Sequence, residues 1–285
     1  MRRGYADTPM GQIHYQCAGE GPALMLLPGA GQTHHIFKRL MAILARRYRV
    51  VAVDALGTGN SDPLPAKITF QDLAASCVHV LDALEIDRAH IYGIHTGNKI
   101  GAAVAAHWPG RTGNFVFVGQ SHSVVADRTL RNAHMLAVTS HYFALDGVDP
   151  NMRPILQWAD AYKRATNLWW SGDLLRAGVV SAATADVRAQ IVDMLQSYDG
   201  ARRMYEANFA YDLEADLRRL SCRTLIVEIA TPAEDDGIGR QGPALLQIVP
   251  RSKLVTFEEP DGLGLTLDNR AEELAAVLFD FLGQA

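Results

Sequence analysis

The stretch HIYGIHTG, residues 90–97, places a glycine two positions before and two positions after a central histidine, His95. An alanine-rich run of helical character, residues 100–107, follows it. This order predicts a strand that turns sharply into a helix, because such a turn needs small residues on both sides of its central position. The amide of Thr96, at the helix start, is expected to point towards a bound anion or oxyanion.

Short β-type runs alternate with helical patterns on both sides of this stretch. Strands that alternate with helices predict an α/β fold with a mostly parallel sheet of about eight strands, covered by helices on both faces. The continuous apolar run at residues 115–118 is typical of a strand that is buried on both faces. The β-type runs are Ala23–Leu27, Arg49–Asp54, His90–Gly93, Phe115–Val118, Thr224–Ile229 and Lys253–Phe257.

The alternation stops after about residue 122 and resumes with the run that begins at Thr224. We therefore predict a core domain formed by residues 1–123 and 216–285, with a helical cap inserted at residues 124–215. Ten of the 22 aromatic residues, Trp158 among them, fall between residues 140 and 211. They favour a lid over an apolar pocket, although a small helical layer also needs large side chains for its own core.

Two further segments follow strands at corresponding places. LLPGAG, residues 26–31, is suited to supply a second oxyanion amide at Ala30, and VAVDALGTGNSD, residues 51–62, follows the next strand. Taken with the strand–turn–helix stretch, these motifs resemble the α/β-hydrolase superfamily over nearly the whole chain. The chain also resembles a bacterial subgroup of that superfamily whose turn reads His-Thr. The resemblance implies an eight-stranded α/β-hydrolase fold with a helical cap.

The catalytic positions of that superfamily are filled differently here. His95 occupies the place of the nucleophile, and no histidine follows His141, whereas the family pattern expects one near residue 264. An acid is available after the seventh strand, where Asp235 lies in the acidic stretch 234–236, out of the family register. We expect no intact triad, with His95 as base or nucleophile and Asp235 as the candidate catalytic acid. The candidates to orient the His95 ring by chain position are His122, His34, His35, Asp54 and the acidic stretch 234–236.

Other side chains are predicted to surround His95. Two amides, those of Ala30 and Thr96, are the candidate oxyanion donors, and a structural role remains an alternative for each further histidine. Lys99, one turn into the helix, is expected to be solvated or ion-paired. The candidate substrate-binding side chains are His34, His35, His122 and Trp158.

Composition excludes several classes of partner. The net charge is −4, and neither sign is concentrated in a run, so neither nucleic acid nor a membrane surface is an expected partner. Three scattered cysteines and the absence of an apolar leader or a long apolar run predict a cytoplasmic protein without a metal site. Gly29 and Gly31 imitate a dinucleotide fingerprint, but His34 stands where its third glycine belongs, so we expect no cofactor.

Three function classes remain, each with a small apolar carbonyl or ester-like molecule as its partner. The first is a divergent hydrolase that uses His95 with water. The second is a cofactor-free lyase or isomerase that uses His95 as a base. The third is a non-catalytic small-molecule binding protein, and the fold alone does not choose among them.

Overall fold

The computed structural model describes residues 1–120, 122–142, 148–166, 187–260 and 266–283. Within these ranges eight strands form one sheet, in the spatial order β1-β2-β4-β3-β5-β6-β7-β8. The predicted α/β class and the eight-stranded, mostly parallel sheet are confirmed. The strands are β1 Arg2–Thr8, β2 Gly11–Ala18, β3 Ala23–Leu27, β4 Arg49–Val53, β5 Ala89–Ile94, β6 Thr112–Val118, β7 Thr224–Ala230 and β8 Ser252–Glu258.

The N-terminal hairpin of β1 and β2 is the part of the sheet that the sequence reasoning did not locate. β1 pairs antiparallel with β2, and β2 pairs antiparallel with β4, whereas the remaining pairs are parallel. β1 lies at the sheet edge and is largely exposed. Its side chains therefore carry little of the apolar alternation that marks a half-buried strand.

Helices cover both faces of the sheet. On one face, α1 and α10 bury leucine, methionine and phenylalanine side chains against β3 to β7. On the other face, α2, α3 and α9 pack on the opposite side chains of the same strands. The helices are α1 Lys38–Leu44, α2 Phe70–Ala83, α3 Thr96–His107, α4 Arg128–Tyr142, α5 Arg153–Thr166, α6 Val187–Ala210, α7 Leu213–Arg218, α8 Pro232–Gly237, α9 Gly242–Ile248 and α10 Ala271–Gly283.

The central strands are buried on both faces, as their unbroken apolar sequences predict. Residues 24–27 of β3, 50–53 of β4 and 115–118 of β6 are at most 1% exposed. Because these strands are parallel, their carboxyl ends meet at one edge of the sheet. The loops that follow β3, β4 and β5 therefore come together there.

Among the described residues between β6 and β7, the chain forms the four helices α4 to α7. The predicted domain limits at residues 124 and 215 stay a prediction. The position near residue 264, where the family pattern expects a histidine, lies outside the described residues, as do Ser121 and the aromatic residues Phe143, Trp169 and Trp170. Among the described helices, none combines the length and the apolar character that a membrane crossing requires.

Candidate active site

The turn between β5 and α3 is strained at His95. Its φ is 49° and its ψ is −113°, and α3 begins at the next residue, Thr96. A side chain at positive φ costs about 1–3 kcal/mol and persists only where neighbouring structure fixes the backbone. The His95 amide donates a hydrogen bond to the Val118 carbonyl at 2.9 Å, which ties the turn to β6. The sharp turn from strand to helix predicted around His95 is thereby confirmed.

The two glycines that flank His95 are required by close backbone contacts. A Cβ atom at Gly93 would lie 2.3 Å from the Gly97 carbonyl oxygen. A Cβ atom at Gly97 would lie 2.2 Å from the Leu27 carbonyl oxygen. These contacts bring the first turn of α3 against the end of β3, so the loop that carries Ala30 adjoins the helix start that carries Thr96.

Replacing Gly97 with Ala should lower the free energy of unfolding by about 3 kcal/mol or more, since neither backbone segment has room to move. Urea denaturation followed by circular dichroism measures this loss. Gly110→Ala is the matched control, because no heavy atom lies within 4 Å of a Cβ built there. Equal stability of the two variants would show that the turn does not depend on the close contact.

The His95 ring stands between two glycine-containing segments. A Cβ at Gly119 would lie 2.7 Å from Cε1 and 3.0 Å from Nδ1 of His95. A Cβ at Gly29 would lie 3.5 Å from the Cβ of His95. His95 itself is half-buried, at the N-terminus of a 12-residue helix. The imidazole therefore lies beside the β3 loop, at a helix terminus that favours developing negative charge.

Lys99 is wholly buried one turn beyond His95. Its Nζ donates a hydrogen bond to Gln120 Oε1 at 2.8 Å and lies 3.4 Å from the His95 carbonyl oxygen. Burial lowers the pKa of Lys99 to about 7, because the charged ammonium loses its hydration. Of the two alternatives expected for Lys99, solvated or ion-paired, the solvated one is wrong, because α3 is buried throughout its first eleven residues.

Asp54, which directly follows β4, holds two histidines. Its carboxylate accepts hydrogen bonds from His14 Nδ1 at 2.9 Å and from His34 Nδ1 and the His34 amide at 2.8 Å each. All three side chains are buried. Burial alone would raise the pKa of Asp54, but the bonds from His14 and His34 outweigh it and hold that pKa well below its usual range.

The same three residues offer ligand atoms within 4.8 Å of one another, a spacing that metal centres share. A tetrahedral zinc ion with bonds of about 2.0–2.2 Å would hold neighbouring ligand atoms about 3.4 Å apart. The nitrogen–oxygen separations of 2.8 and 2.9 Å are hydrogen-bond lengths instead. These residues therefore fit a hydrogen-bond cluster better than a metal centre.

The long helix α6 is attached to the loop after β3 through Asp193. The Asp193 carboxylate accepts hydrogen bonds from Thr33 Oγ1 at 2.7 Å and from His35 Nδ1 at 2.9 Å. The bond to Asp193 raises the pKa of His35, while burial opposes this shift. His34 and His35 are adjacent in sequence but bind different carboxylates. His34 binds Asp54 of the core, and His35 binds Asp193 of α6.

One turn further on, α6 crosses the loop after β4 in close contact. The Gly59 amide donates a hydrogen bond to Ser197 Oγ at 3.2 Å. A Cβ at Gly200 would lie 1.8 Å from the Gly57 carbonyl oxygen, so only glycine permits this crossing. Helix α6 therefore lies over the carboxyl ends of β3 and β4, beside the His95 turn.

Comparison with known proteins identifies this architecture. Residues 22–146 match the family model described as alpha/beta hydrolase fold. A hydrolase from Pseudomonas aeruginosa PA01 superimposes with a TM-score of 0.75 over 99% of this chain and 98% of that chain, at 22% identity. The chain has the α/β-hydrolase fold. The enol-lactonase from Burkholderia xenovorans LB400 shares it, with a TM-score of 0.72 over 99% of this chain and 100% of that chain, at 19% identity.

A sequence relative supports the superfamily as well. The protein named 2-hydroxy-6-oxononadienedioate/2-hydroxy-6-oxononatrienedioate hydrolase 2, from Pseudomonas putida, is 34% identical over 125 residues. The match covers 42% of this chain and 43% of that protein, which is less than half of either. Part of this chain is therefore similar in sequence to part of a protein named as a hydrolase.

Two acids follow β7 in different environments. Asp235 forms an ion pair with Arg240 Nη2 at 2.7 Å, and its side chain is 36% exposed. Its role as the catalytic acid stays a prediction. Its neighbour Glu234 faces inward and is 5% exposed. Thr231 begins α8 by accepting a hydrogen bond from the Glu234 amide at 3.0 Å, which fixes the helical phase that turns Glu234 inward.

Burial raises the pKa of Glu234 to about 8, and the hydrogen bond from Thr231 only partly offsets this. Glu234 lines a cavity of about 20 Å³ together with Gly119, Gln120 and Asp235. Two acids of α8, one buried and one partly exposed, therefore adjoin this cavity.

His122 and Trp158, the remaining candidates, lie in contrasting environments. His122 is buried and stacks on Phe209 of α6 with ring centroids 5.9 Å apart. Burial, aided by the nearby Lys99 charge, lowers the pKa of His122 to about 3, so this imidazole is neutral. Trp158 is 54% exposed on α5, and this exposure lends no support to its predicted role in substrate binding.

Two polar residues of α6 were missed by the sequence reasoning. Asp193 interrupts the apolar run Ile191-Val-Asp-Met-Leu195, and Asn208 stands between Ala207 and Phe209. A single polar residue inside an apolar helical face indicates a buried polar partner or a ligand-facing position. That pattern was available in the sequence, but the identity of the partner was not.

Proposed function

We propose that the chain is a cofactor-free hydrolase acting on a small apolar carbonyl or ester-like molecule, with His95 as the general base. The observation that carries this proposal is the turn itself, which keeps the strained geometry of a nucleophile position while presenting an imidazole. A structure that retains about 1–3 kcal/mol of strain at one residue has a use for that residue's position. The printed name of the Pseudomonas putida relative, a hydrolase of an oxo acid, supports a carbonyl substrate.

In the proposed reaction His95 accepts a proton from water, and the water oxygen forms a bond to the substrate carbonyl carbon. The amides of Ala30 and Thr96 donate hydrogen bonds to the resulting oxyanion. When the carbonyl forms again, the bond to the leaving group breaks, and the leaving group takes the proton from the imidazolium. No group beyond the substrate, water and the chain's own residues is needed for this balance.

The inserted helices at residues 124–215 are proposed to act as a cap over this centre. Support comes from α6, which contacts the loops after β3 and β4 through Asp193, Ser197 and Gly200. A cap excludes water that the reaction does not use and strengthens every electrostatic interaction beneath it. The two histidines of the β3 loop then support the site through Asp54 and Asp193, without contacting the reacting atoms.

Replacing His95 with Ala should lower the turnover of p-nitrophenyl acetate by about 100-fold or more, the range typical of a lost general base. The assay follows nitrophenolate release by the wild-type protein, by His95→Ala and by a control variant. His79→Ala is the matched control, since His79 lies on α2 in a half-exposed pair with Asp82 and should leave the rate unchanged. Equal rates for wild type and His95→Ala would overturn the proposal.

Fluorophosphonate reagents should not label the wild-type protein at the turn, because an imidazole there lacks the hydroxyl that these reagents modify. Restoring the hydroxyl, as in His95→Ser, should give at most weak esterase activity. No histidine follows His141 in the chain to deprotonate that serine. Intact-mass spectrometry measures the labelling, and stoichiometric labelling that Ser121→Ala removes would show that the nucleophile lies elsewhere.

A non-catalytic binding protein is the second candidate. The observation that favours it is the ion pair of Asp235 with Arg240, which engages one of the acids that are candidates to orient His95. A binder would retain small-molecule affinity in His95→Ala and would show no His95-dependent turnover of any ester. The same assay panel therefore separates the two candidates.

A further inference from the structure

Three buried polar side chains near the His95 turn have atoms without a hydrogen-bond partner among the residues that the structure describes. These atoms are the Oγ1 of Thr96, the Nδ1 of His122 and both amide atoms of Asn208. Thr96 is 1% exposed, His122 is 9% exposed and Asn208 is fully buried. Buried polar atoms almost always find partners, because leaving one unpaired costs about 1–3 kcal/mol. Several such atoms in one region indicate that a polar ligand completes them.

The three residues come from different elements that meet at one place. Asn208 lies near the end of α6, and a hydrogen bond with its backbone raises the pKa of His122 against the effect of burial. His122 also stacks on Phe209, the next residue of α6. The charge of Lys99, three residues beyond Thr96 on α3, acts on His122 as well. Thr96 and Lys99 lie three residues apart on the same side of α3, and α3 contacts α6.

We propose that Asn208, together with Thr96 and His122, forms a polar subsite that recognises an uncharged ligand group with both a donor and an acceptor. The inference rests on the proposed function only in naming the ligand as substrate. Asn208 supplies a carbonyl acceptor and an amide donor, and Thr96 supplies a hydroxyl that does both. The neutral His122 Nδ1 supplies a lone pair when the other ring nitrogen carries the proton.

These groups select against a carboxylate. A carboxylate offers only acceptor oxygens, which would face the Nδ1 lone pair of His122 and the carbonyl oxygen of Asn208 without a proton between them. An ester end offers acceptors alone and leaves the same two protein atoms unpaired. A primary amide or a hydroxyl beside a carbonyl satisfies all of them. The specificity therefore comes from hydrogen-bond pairing, with Phe209 providing an aromatic surface beside it.

Benzamide is the probe that tests the subsite, with benzoate and methyl benzoate as matched ligands of the same ring. Binding is measured by two-dimensional NMR titration of the isotopically labelled protein. We expect benzamide to bind at least tenfold more tightly than either matched ligand and to shift the resonances of Thr96, His122 and Asn208. Asn208→Leu, which keeps the side-chain shape, should remove the preference for benzamide. His122→Phe keeps the ring against Phe209, loses Nδ1 and should weaken benzamide binding likewise.

The outcomes separate this inference from the proposed function. If the wild-type protein shows the expected preference for benzamide but turns over esters no faster than His95→Ala does, the subsite stands and the hydrolase proposal fails. If ester turnover depends on His95 but Asn208→Leu keeps the benzamide preference, the subsite alone is overturned. Equal affinity for the three ligands, or no saturable benzamide binding, would also overturn it, and would show that the buried groups are satisfied by water only.

Discussion

Replacing Asp54 with Asn should lower the free energy of unfolding at pH 7 by about 3–5 kcal/mol, the usual loss when one partner of a buried charged cluster is removed. The Asp54 carboxylate accepts hydrogen bonds from both histidine rings, from the His34 amide and from the Asn60 amide. An asparagine side chain turns one of these acceptor positions into a donor that faces another donor. Urea denaturation followed by tryptophan fluorescence measures the loss.

The effect of Asp54→Asn should depend on pH in a defined direction. Because the folded protein holds the pKa of Asp54 below its value in the unfolded chain, its contribution is complete above the ordinary carboxyl pKa. The contribution is lost as the pH falls through the lower, folded-state value. The stability gap between wild type and variant should therefore narrow only in strong acid.

Asp82→Asn is the control for this experiment, since Asp82 lies half-exposed in ion pairs on α2 and should change stability by less than about 0.5 kcal/mol. Equal losses in the two variants would show that the cluster of His14, His34 and Asp54 adds nothing to stability. Adding the chelator EDTA to the wild-type protein tests whether the cluster binds a metal ion instead. If EDTA lowered the wild-type stability as much as Asp54→Asn does, the three residues would be holding a metal ion.

The fold was predictable where the sequence constraint is local. A Cβ atom at Gly93 or Gly97 would lie less than 2.5 Å from a backbone oxygen, so both positions require glycine. This requirement leaves a fixed spacing of the two glycines in the sequence. Strands buried on both faces leave continuous apolar runs, which located β3 to β7, whereas the partly exposed edge strand β8 was located by the alternation of strands and helices. The hairpin of β1 and β2 was not located because its exposed edge strand leaves no comparable pattern, so the contact of His14 on β2 with Asp54 was missed as well.

The site was less predictable because its contacts join distant segments. Asp193 meets Thr33 across 160 positions of sequence, and no local pattern encodes such a pair. Which of Glu234 and Asp235 is buried depends on the phase of a six-residue helix, since successive helical residues point about 100° apart. The solvated alternative for Lys99 failed for a related reason: a lysine on a helix is solvated only if that helix has a solvent-facing side.

Lys99→Met should raise the free energy of unfolding at pH 7 by about 3 kcal/mol. Burial lowers the pKa of Lys99 from 10.5 to about 7, a difference that corresponds to about 5 kcal/mol of destabilisation when the amine is charged. The substitution also removes the hydrogen bond to Gln120 Oε1, which reduces the expected stabilisation by about 1–3 kcal/mol. Differential scanning calorimetry and urea denaturation between pH 6 and pH 10 measure both the gain and its pH dependence.

The direction in which stability changes with pH distinguishes two explanations of a more stable Lys99→Met variant. One is the removal of a buried amine, and the other is better packing of the methionine. The unfolded chain binds one more proton than the folded protein between pH 7 and pH 10.5, so wild-type stability should rise with pH across this range. Lys99→Met should lose this rise and keep an even stability, whereas Lys253→Met, at an exposed position of β8, should keep it. A Lys99→Met variant that is less stable at every pH would show that the ammonium is held by attractive charge. It would then belong to the electrostatics of the His95 turn, where a positive charge beside the oxyanion would be expected to speed the reaction.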